Sequence, residues 1–201
     1  MSARRTSTDL ALIAGFAALV AACALLPAIQ VGAGLVPITL QTFAVLLAGA
    51  VLGARRGFFA VLLYVAAGAA GLPVFSGGAA GLAVLAGPTG GYLLGFPLAA
   101  GFCGFLVERL PRDKVATSVP LIFLAGLVSS ALFIHTLGMA GLVLRADLTW
   151  GEAFDIDKVF WIGDALKNLA MAVVATAVHR AFPDLLPPRS RSPRQGEPAP
   201  A

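Results

Sequence analysis

Long uncharged stretches alternate along the chain with short clusters of charged residues. A helix needs about 20 apolar residues to cross the hydrocarbon core of a bilayer, and dividing the chain at its charges leaves six stretches near that length. They cover residues 10–29, 37–54, 57–72, 89–107, 119–142 and 159–182. A glycine-rich run at 71–91 follows the short third stretch and is interpreted as a re-entrant segment or an ordered lid. The pattern predicts an all-α integral membrane protein with six transmembrane helices.

Composition supports a membrane protein and excludes several other classes. Of the 201 residues, 59% are hydrophobic and 12% are charged, whereas a soluble domain has about 45–50% apolar and about 25% charged residues. A soluble core of this size could not hold the excess, because much of its surface would still face water. An ordinary cytosolic enzyme is therefore excluded. The net charge of +4 comes from clusters between apolar stretches rather than from one basic face, so no nucleic-acid partner is expected.

The positions of lysine and arginine predict the orientation in the cytoplasmic membrane. Cytoplasmic loops carry an excess of these residues, and 11 of the 14 lie in four clusters, before the first stretch and after the second, fourth and sixth. Both termini are therefore predicted to be cytoplasmic. The predicted division is a cytoplasmic N-terminus at 1–9, a membrane domain at 10–182 and a disordered, Pro- and Arg-rich cytoplasmic tail at 183–201.

Motifs for catalysis, metal binding or cofactor binding are absent from the sequence. It has no GxxxxGK[ST] phosphate loop and no HExxH or GxSxG motif. Cys23 and Cys103 lie in apolar runs and are interpreted as small buried thiols. His135 is interpreted as a helix-packing residue, with a place in a pocket as the alternative. No catalytic residue, metal site or cofactor is predicted.

Two opposite charges interrupt the last apolar stretch. Asp164 and Lys167 are three residues apart, which places them on one face of a helix. At a rise of 1.5 Å per residue they lie roughly 7–12 Å below the outer boundary. Charges at such depth are costly and tend to be paired or to face a cavity. The pair is either a polar binding site, to which Asn168 could add an amide, or a neutralised ion pair with no ligand.

Polar and aromatic side chains near the predicted outer ends of other stretches could converge on this pair. Thr39 and Gln41 open the second stretch, and Thr89 and Tyr92 open the fourth. For the threonines and the glutamine, the alternatives are capping and bonds between helices. Phe75 and Trp161, with Tyr92, could form flat apolar walls. These residues complete the predicted substrate site.

Four stretches of the chain closely resemble the BioY family, the biotin-specific substrate-binding (S) components of energy-coupling factor (ECF) vitamin transporters. The stretches are VPITLQTFAVLLAGAVLGARRG at 36–57, GLPVFSGG at 71–78, GPTGGYLLGFPLAA at 87–100 and GDALKN at 163–168. The resemblance implies a six-helix S-component fold that captures biotin from outside. It also implies that Asp164 and Lys167, which match the acidic and basic positions of the family's last-helix motif, contact the ligand.

The same resemblance implies partners in the membrane. Ala14 and Ala18 match the small-residue surface by which S components dock a transmembrane coupling subunit, which in turn binds ATPases. A homo-oligomer is left open. Two other functions also stay open from the residues alone: a proton- or gradient-coupled transporter of another small carboxylate, and a membrane-embedded enzyme acting on a lipid or vitamin precursor.

Overall fold

The computed structural model describes residues 2–29 and 36–186, and its regular elements there are helical. An isolated antiparallel bridge joins Ile29 to Ile38. A 3₁₀ turn covers Ser76–Gly78, and a π-helical turn, Ser130–His135, joins α7 to α8. The helices are α1 Ser2–Leu25, α2 Gln41–Leu52, α3 Ala54–Ala69, α4 Leu82–Ala86, α5 Gly90–Arg109, α6 Arg112–Val115, α7 Val119–Ser129, α8 Thr136–Arg145 and α9 Trp150–Ala181.

Several of these helices have the length and composition of membrane spans. Within the described residues four qualify: Thr6–Leu25, Gly90–Arg109, the continuous Val119–Arg145 and Trp150–Ala181. Between the first two lie α2, which is apolar but only 12 residues long, and α3, which has 16 residues and two arginines in its first turn. The predicted all-helical fold with apolar spans is thus confirmed, and the count of six spans stays a prediction.

The last helix begins earlier than its hydrophobicity indicates. The predicted span started at residue 159, but α9 begins at Trp150, where Thr149 and Glu152 form a capping box. The Thr149 amide donates to Glu152 Oε2 at 2.8 Å, and the Glu152 amide donates to Thr149 Oγ1 at 3.3 Å. These bonds satisfy backbone donors that a helix start otherwise leaves free. Much of the predicted acidic connection at 145–158 is therefore helix, and Asp157 lies within α9.

Glycines bring α2, α3, α5 and α8 into backbone contact. A Cβ on Gly49 of α2 would lie 2.1 Å from the Ala100 carbonyl oxygen of α5, and one on Gly91 would lie 2.1 Å from the Leu137 carbonyl oxygen of α8. Such distances exclude any side chain. The small residues therefore serve mainly for packing inside the bundle, as close approach of membrane helices requires.

Residues 71–89, here called the cover segment, fold back over the ends of α3 and α5. Phe75 is only 1% exposed, and its ring meets Tyr64 of α3 edge-on with centroids 5.7 Å apart. The ring lies directly over Gly68, where a Cβ would be 2.3 Å from it. The glycine-rich run is thus an ordered segment anchored by an aromatic side chain.

Polar contacts tie the opposite end of the bundle together. Arg56 of α3 contacts Asp9 of α1 at 2.7 Å and donates to the Leu185 carbonyl at 2.8 Å. Leu186 is buried, and residues 187–201, most of the predicted tail, lie outside the described residues. Cys23 and Cys103 are both buried and free.

Candidate functional site

A cavity of about 200 Å³ opens among the first turns of α2 and α5, the π turn and the third to fifth turns of α9. The cover segment forms part of its wall. Its lining is largely apolar, with polar side chains from four parts of the chain, which suits a small organic molecule with a few polar groups. The lining residues are Val36, Pro37, Ile38, Thr39, Gln41, Thr42, Phe75, Ser76, Ala79, Val84, Thr89, Tyr92, Leu93, Phe96, Ile134, His135, Phe160, Asp164 and Lys167.

Asp164 and Lys167 face this cavity and touch each other. Lys167 Nζ donates to Asp164 Oδ1 at 2.7 Å, and Thr42 Oγ1 of α2 donates to the same oxygen at 2.9 Å. The Asp164 side chain is 5% exposed and the Lys167 side chain 16% exposed. The ammonium group carries three donors, and it also reaches Thr42 Oγ1 at 3.3 Å. The pair is therefore a buried acceptor beside a more accessible donor.

The start of α2 adds amide and hydroxyl groups. Thr39 Oγ1 donates to Gln41 Oε1 at 2.9 Å, and Gln41 Nε2 donates to the Tyr64 hydroxyl oxygen at 2.6 Å. Gln41 is 5% exposed although it is the first residue of the helix. These bonds orient the Gln41 amide, so its position in the wall is set by α3 as well as by α2.

Aromatic rings form much of the apolar wall. Tyr92 in the first turn of α5 packs on Gly138 of α8, where a Cβ would lie 2.1 Å from the ring. Phe160 of α9 meets Tyr92 edge-on at 6.2 Å. Phe96 lies one turn below Tyr92 and is buried, and Phe75 reaches the wall from the cover segment. Flat rings of this kind suit a rigid, compact ring system.

Seven of the nine predicted substrate-site residues line the cavity. Four of them, Thr39, Gln41, Thr89 and Tyr92, were selected because they lie near predicted outer ends of spans, and Phe75 was selected as part of an aromatic wall. The seven are Thr39, Gln41, Phe75, Thr89, Tyr92, Asp164 and Lys167.

Asn168 and Trp161 do not line the cavity. Asn168 is buried one turn below Asp164, and its Nδ2 donates to the Asp164 carbonyl at 3.0 Å. Its Oδ1 has no hydrogen-bond partner among the described residues and lies against Gly126 of α7. Trp161 is 47% exposed and packs outside the cavity against His135, with centroids 5.3 Å apart. Both residues lie on α9 next to the side chains that face the cavity, but neither contributes to the cavity wall.

Sequence reasoning missed Thr42 and Asp157, and it gave His135 a place in a pocket only as the alternative. Thr42 lies beside the selected Gln41, one residue further into α2. His135 lines the cavity because the π turn holds it there, and a π turn leaves no clear mark in the sequence. Asp157 was assigned to a loop, although the spacing of residues 157, 161, 164 and 168 marks one helical face and could have revealed it.

Asp157 sits at the centre of a second polar cluster directly beside the cavity. It is 0% exposed and accepts from the Tyr92 hydroxyl at 2.9 Å and from Trp161 Nε1 at 2.8 Å. His135 Nδ1 is 3.0 Å from Asp157, and His135 Nε2 is 3.4 Å from Asp164 Oδ2. The imidazole thus links the two carboxylates.

The remaining predicted surface lies on α1. Ala14 and Ala18 are both exposed on this helix, and a Cβ on the neighbouring Gly15 would meet nothing within 4 Å. The first helix therefore presents a smooth outer face of small residues.

The arrangement supplies binding groups: a carboxylate, an ammonium, an imidazole, hydroxyls and an amide around an apolar space. Within the described residues no group of three or more His, Cys, Asp or Glu side chains is placed to hold a metal ion. The geometry is that of a receptor for a small molecule with polar groups at its ends.

Comparison with known proteins gives one family. The BioY family model matches residues 1–184. The chain is 41% identical over 187 residues to the biotin transporter BioY of Rhizobium etli, covering 92% of this chain and 100% of the relative. It is 39% identical to the biotin transporter BioY of Rhodobacter capsulatus, covering 89% and 96%. The crystal structure of an S-component for biotin from an ECF-type ABC transporter superposes with a TM-score of 0.83 at 26% identity, covering 90% and 95% of the two chains.

Proposed function

Because the chain belongs to the BioY family, we propose that it captures biotin from outside the cell and takes part in its uptake, as the substrate-binding subunit of an ECF-type transporter. Members of this family are transporter components, so the chain is a membrane transport protein and not an enzyme. The observation that carries the proposal is the Asp164–Lys167 pair facing a cavity with aromatic walls.

The chemistry of biotin suits this cavity. Its bicyclic ring needs an apolar slot, its ureido group offers N–H donors beside a carbonyl acceptor, and its valerate chain ends in a carboxylate. Asp164 and Lys167 are in contact, so both serve the same end of a long ligand. An adjacent acceptor and donor match the ureido group, with Asp164 accepting from a ureido N–H and Lys167 donating to the ureido carbonyl.

The biotin carboxylate then lies towards neutral donors. Thr39, Gln41 and Thr89 line other parts of the cavity, and hydroxyl and amide groups can donate to a carboxylate without a full counter-charge. Phe75, Tyr92 and Phe160 enclose the rings between these two ends. This assignment predicts which end of the ligand each substitution will affect.

The membrane arrangement that goes with this function has six spans in the cytoplasmic membrane. They are α1, α2, α3, α5, the continuous helix from α7 to α8, and α9, with both termini cytoplasmic. The cavity lies at the starts of α2 and α5 and along the third to fifth turns of α9, whereas the Arg56–Asp9 contact and the clustered arginines lie at the opposite end of the bundle. This separation supports an outward-facing site in a membrane domain at 10–182.

Uptake also needs partners that supply energy. We assign the exposed face of α1 around Ala14 and Ala18 to docking of a transmembrane coupling subunit that carries ATPases, because small residues allow another helix to approach closely. The lipid bilayer surrounds the rest of the bundle, and no nucleic acid takes part. A homo-oligomer is compatible with the same outer surfaces.

Titration of the purified protein with biotin tests the proposal. Lys167→Met keeps the side-chain stem but removes the ammonium, and a charge-assisted hydrogen bond contributes about 1.5–3 kcal/mol. The Kd for biotin should rise by about tenfold to a hundredfold. Lys158→Met is the matched control, because Lys158 is the exposed lysine of the same helix and pairs only with Asp155.

The two outcomes separate clearly. One-to-one binding that is weakened by Lys167→Met and unchanged by Lys158→Met supports the proposal. No binding of biotin by the unsubstituted protein would contradict it, and so would equal affinity in all three proteins.

A further inference from the structure

Asp157 is buried outside the cavity, where three side chains approach its carboxylate. It is 0% exposed and is approached by Tyr92 of α5, His135 of the π turn and Trp161 of its own helix, all within 3.0 Å. A buried carboxylate without a compensating charge is costly. Tyrosine and tryptophan donors are neutral, so the one group in contact with Asp157 that can bring a positive charge is His135.

His135 lies between two carboxylates. Its Nδ1 is 3.0 Å from Asp157, and its Nε2 is 3.4 Å from Asp164 Oδ2. An ionised carboxylate can only accept hydrogen bonds, so Nδ1 must carry a proton to bond to Asp157. The Nε2 contact is longer than a hydrogen bond, but it lies within ion-pair distance of Asp164. Only a protonated Nε2 makes this contact attractive, because a neutral imidazole would turn a lone pair towards the Asp164 carboxylate. Two buried carboxylates around one ring therefore favour the imidazolium.

We propose that His135 is a cation of the ligand site and that Asp157 is the positioning residue that keeps it protonated and directed at Asp164. The inference rests on the biotin-binding function above. With His135 charged, the two carboxylates are balanced by two cations, His135 and Lys167. With His135 neutral, the wall carries one excess negative charge, and a ligand that bears a carboxylate is repelled.

Among the described residues, no other charged group lies where it could take the role of His135. The titratable and charged groups that face the ring are Tyr92 from α5, and Asp157 and Asp164 from α9, while Lys167 reaches it only through Asp164. The π turn contributes to this arrangement, because it holds the His135 ring in the cavity wall with both ring nitrogens directed at α9. π turns within α-helices are frequent at functional sites.

A purely structural role for Asp157, tying α5 and the π turn to α9, makes a different prediction. If Asp157 has only this role, its substitution changes the stability of the protein but not the number of protons on the His135 ring. The chain has only two histidines, His135 and His179, so nitrogen NMR of the protein with both histidines labelled with ¹⁵N can read that count. The signal that disappears in His135→Gln identifies His135.

The experiment combines this spectrum with biotin titration for the unsubstituted protein, Asp157→Asn and a control. Asp155→Asn is the control, because Asp155 is exposed two residues earlier on the same helix. At neutral pH we expect His135 to show two protonated nitrogens in the unsubstituted protein and in Asp155→Asn, but one in Asp157→Asn. Biotin affinity should fall about tenfold in Asp157→Asn only.

His135→Gln keeps the inference testable if Asp157→Asn does not fold. Its amide can still reach Asp164 but carries no charge, so biotin affinity should again fall about tenfold. A neutral His135 in a biotin-binding unsubstituted protein would overturn the inference and leave the proposed function intact, as would full affinity in either variant. Failure of the unsubstituted protein to bind biotin would instead contradict the proposed function.

Discussion

Single residues give the cavity its selectivity. Asp164 is buried and has Lys167 and Thr42 as direct donors, so the free-energy cost of burying its charge is offset locally. Lys167 is more accessible than its partner and has a donor left for a ligand. Because the two groups touch, the proposal assigns both of them to the ureido end of biotin.

This assignment predicts how Lys167→Met acts on a ligand without a carboxylate. Biotin carboxamide keeps the ureido group and replaces the carboxylate by a neutral amide. If Lys167 donates to the ureido carbonyl, the substitution weakens biotin and its carboxamide by the same factor, about tenfold or more. Parallel titrations measure both factors. A loss seen with biotin but absent with the carboxamide would place Lys167 at the carboxylate end instead.

At this scale the sequence predicted the charge pair but not the groups behind it. Asp164 and Lys167 stand out because charges are rare in apolar stretches, and a separation of three fixes their common face. Asp157 could not be recognised as a site residue from the sequence, because it lies near other acidic residues. Only the early start of α9 shows that it is buried. The position of His135 depends on the π turn, which packs against α5 and is not evident in the sequence.

Among the elements, the cover segment links the fold most directly to the site. Its shape depends on Phe75, which lies on Gly68 of α3 and also lines the cavity. The hydrophobic pattern predicted α5 and the continuous helix Val119–Arg145 to within three residues at each end, because apolar length there reflects membrane thickness, whereas α1 begins eight residues before its predicted start. It gave no boundary within 71–91, since this segment is organised by a contact between distant residues.

Substitution of Gly68 should therefore impair the site without touching a ligand. In Gly68→Ala the new Cβ would lie 2.3 Å from the Phe75 ring, so the ring and the cover segment must move. We expect the Kd for biotin to rise about tenfold, in line with the roughly 1–3 kcal/mol cost of overpacking, and the melting temperature to fall. Both are measured on the purified protein.

Gly163→Ala is the matched control for this substitution. Gly163 is also helical, but a Cβ there would meet nothing within 4 Å, so affinity should stay unchanged and the melting temperature should stay the same or rise slightly, because alanine favours a helix over glycine. Unchanged biotin affinity in Gly68→Ala would mean that the cover segment takes no part in holding the ligand.

For the whole molecule, orientation decides from which side the cavity is filled. The basic clusters and the starts of α2, α5 and α9 lie at opposite ends of the bundle, so under the positive-inside rule the proposed orientation has the cavity facing outside. Both parts of this argument come from the sequence. The closeness of helix packing cannot be predicted from the sequence, because it depends on which glycine faces which backbone.

Cysteine labelling in intact cells checks this orientation. In a variant whose two buried cysteines are replaced by alanine, Asp155→Cys should react with a membrane-impermeant maleimide. Thr117→Cys, which follows the basic cluster after α5, should react only after the cells are opened. Labelling of Thr117→Cys in intact cells would reverse the proposed orientation.

A structure of the protein purified with biotin tests the central claim most directly. The account predicts a single biotin in the cavity, with its ureido group against Asp164 and Lys167, its rings between Phe75, Tyr92 and Phe160, and its carboxylate towards Thr39 and Gln41. Biotin bound elsewhere on the protein, or a bound biotin that does not contact the Asp164–Lys167 pair, would contradict it.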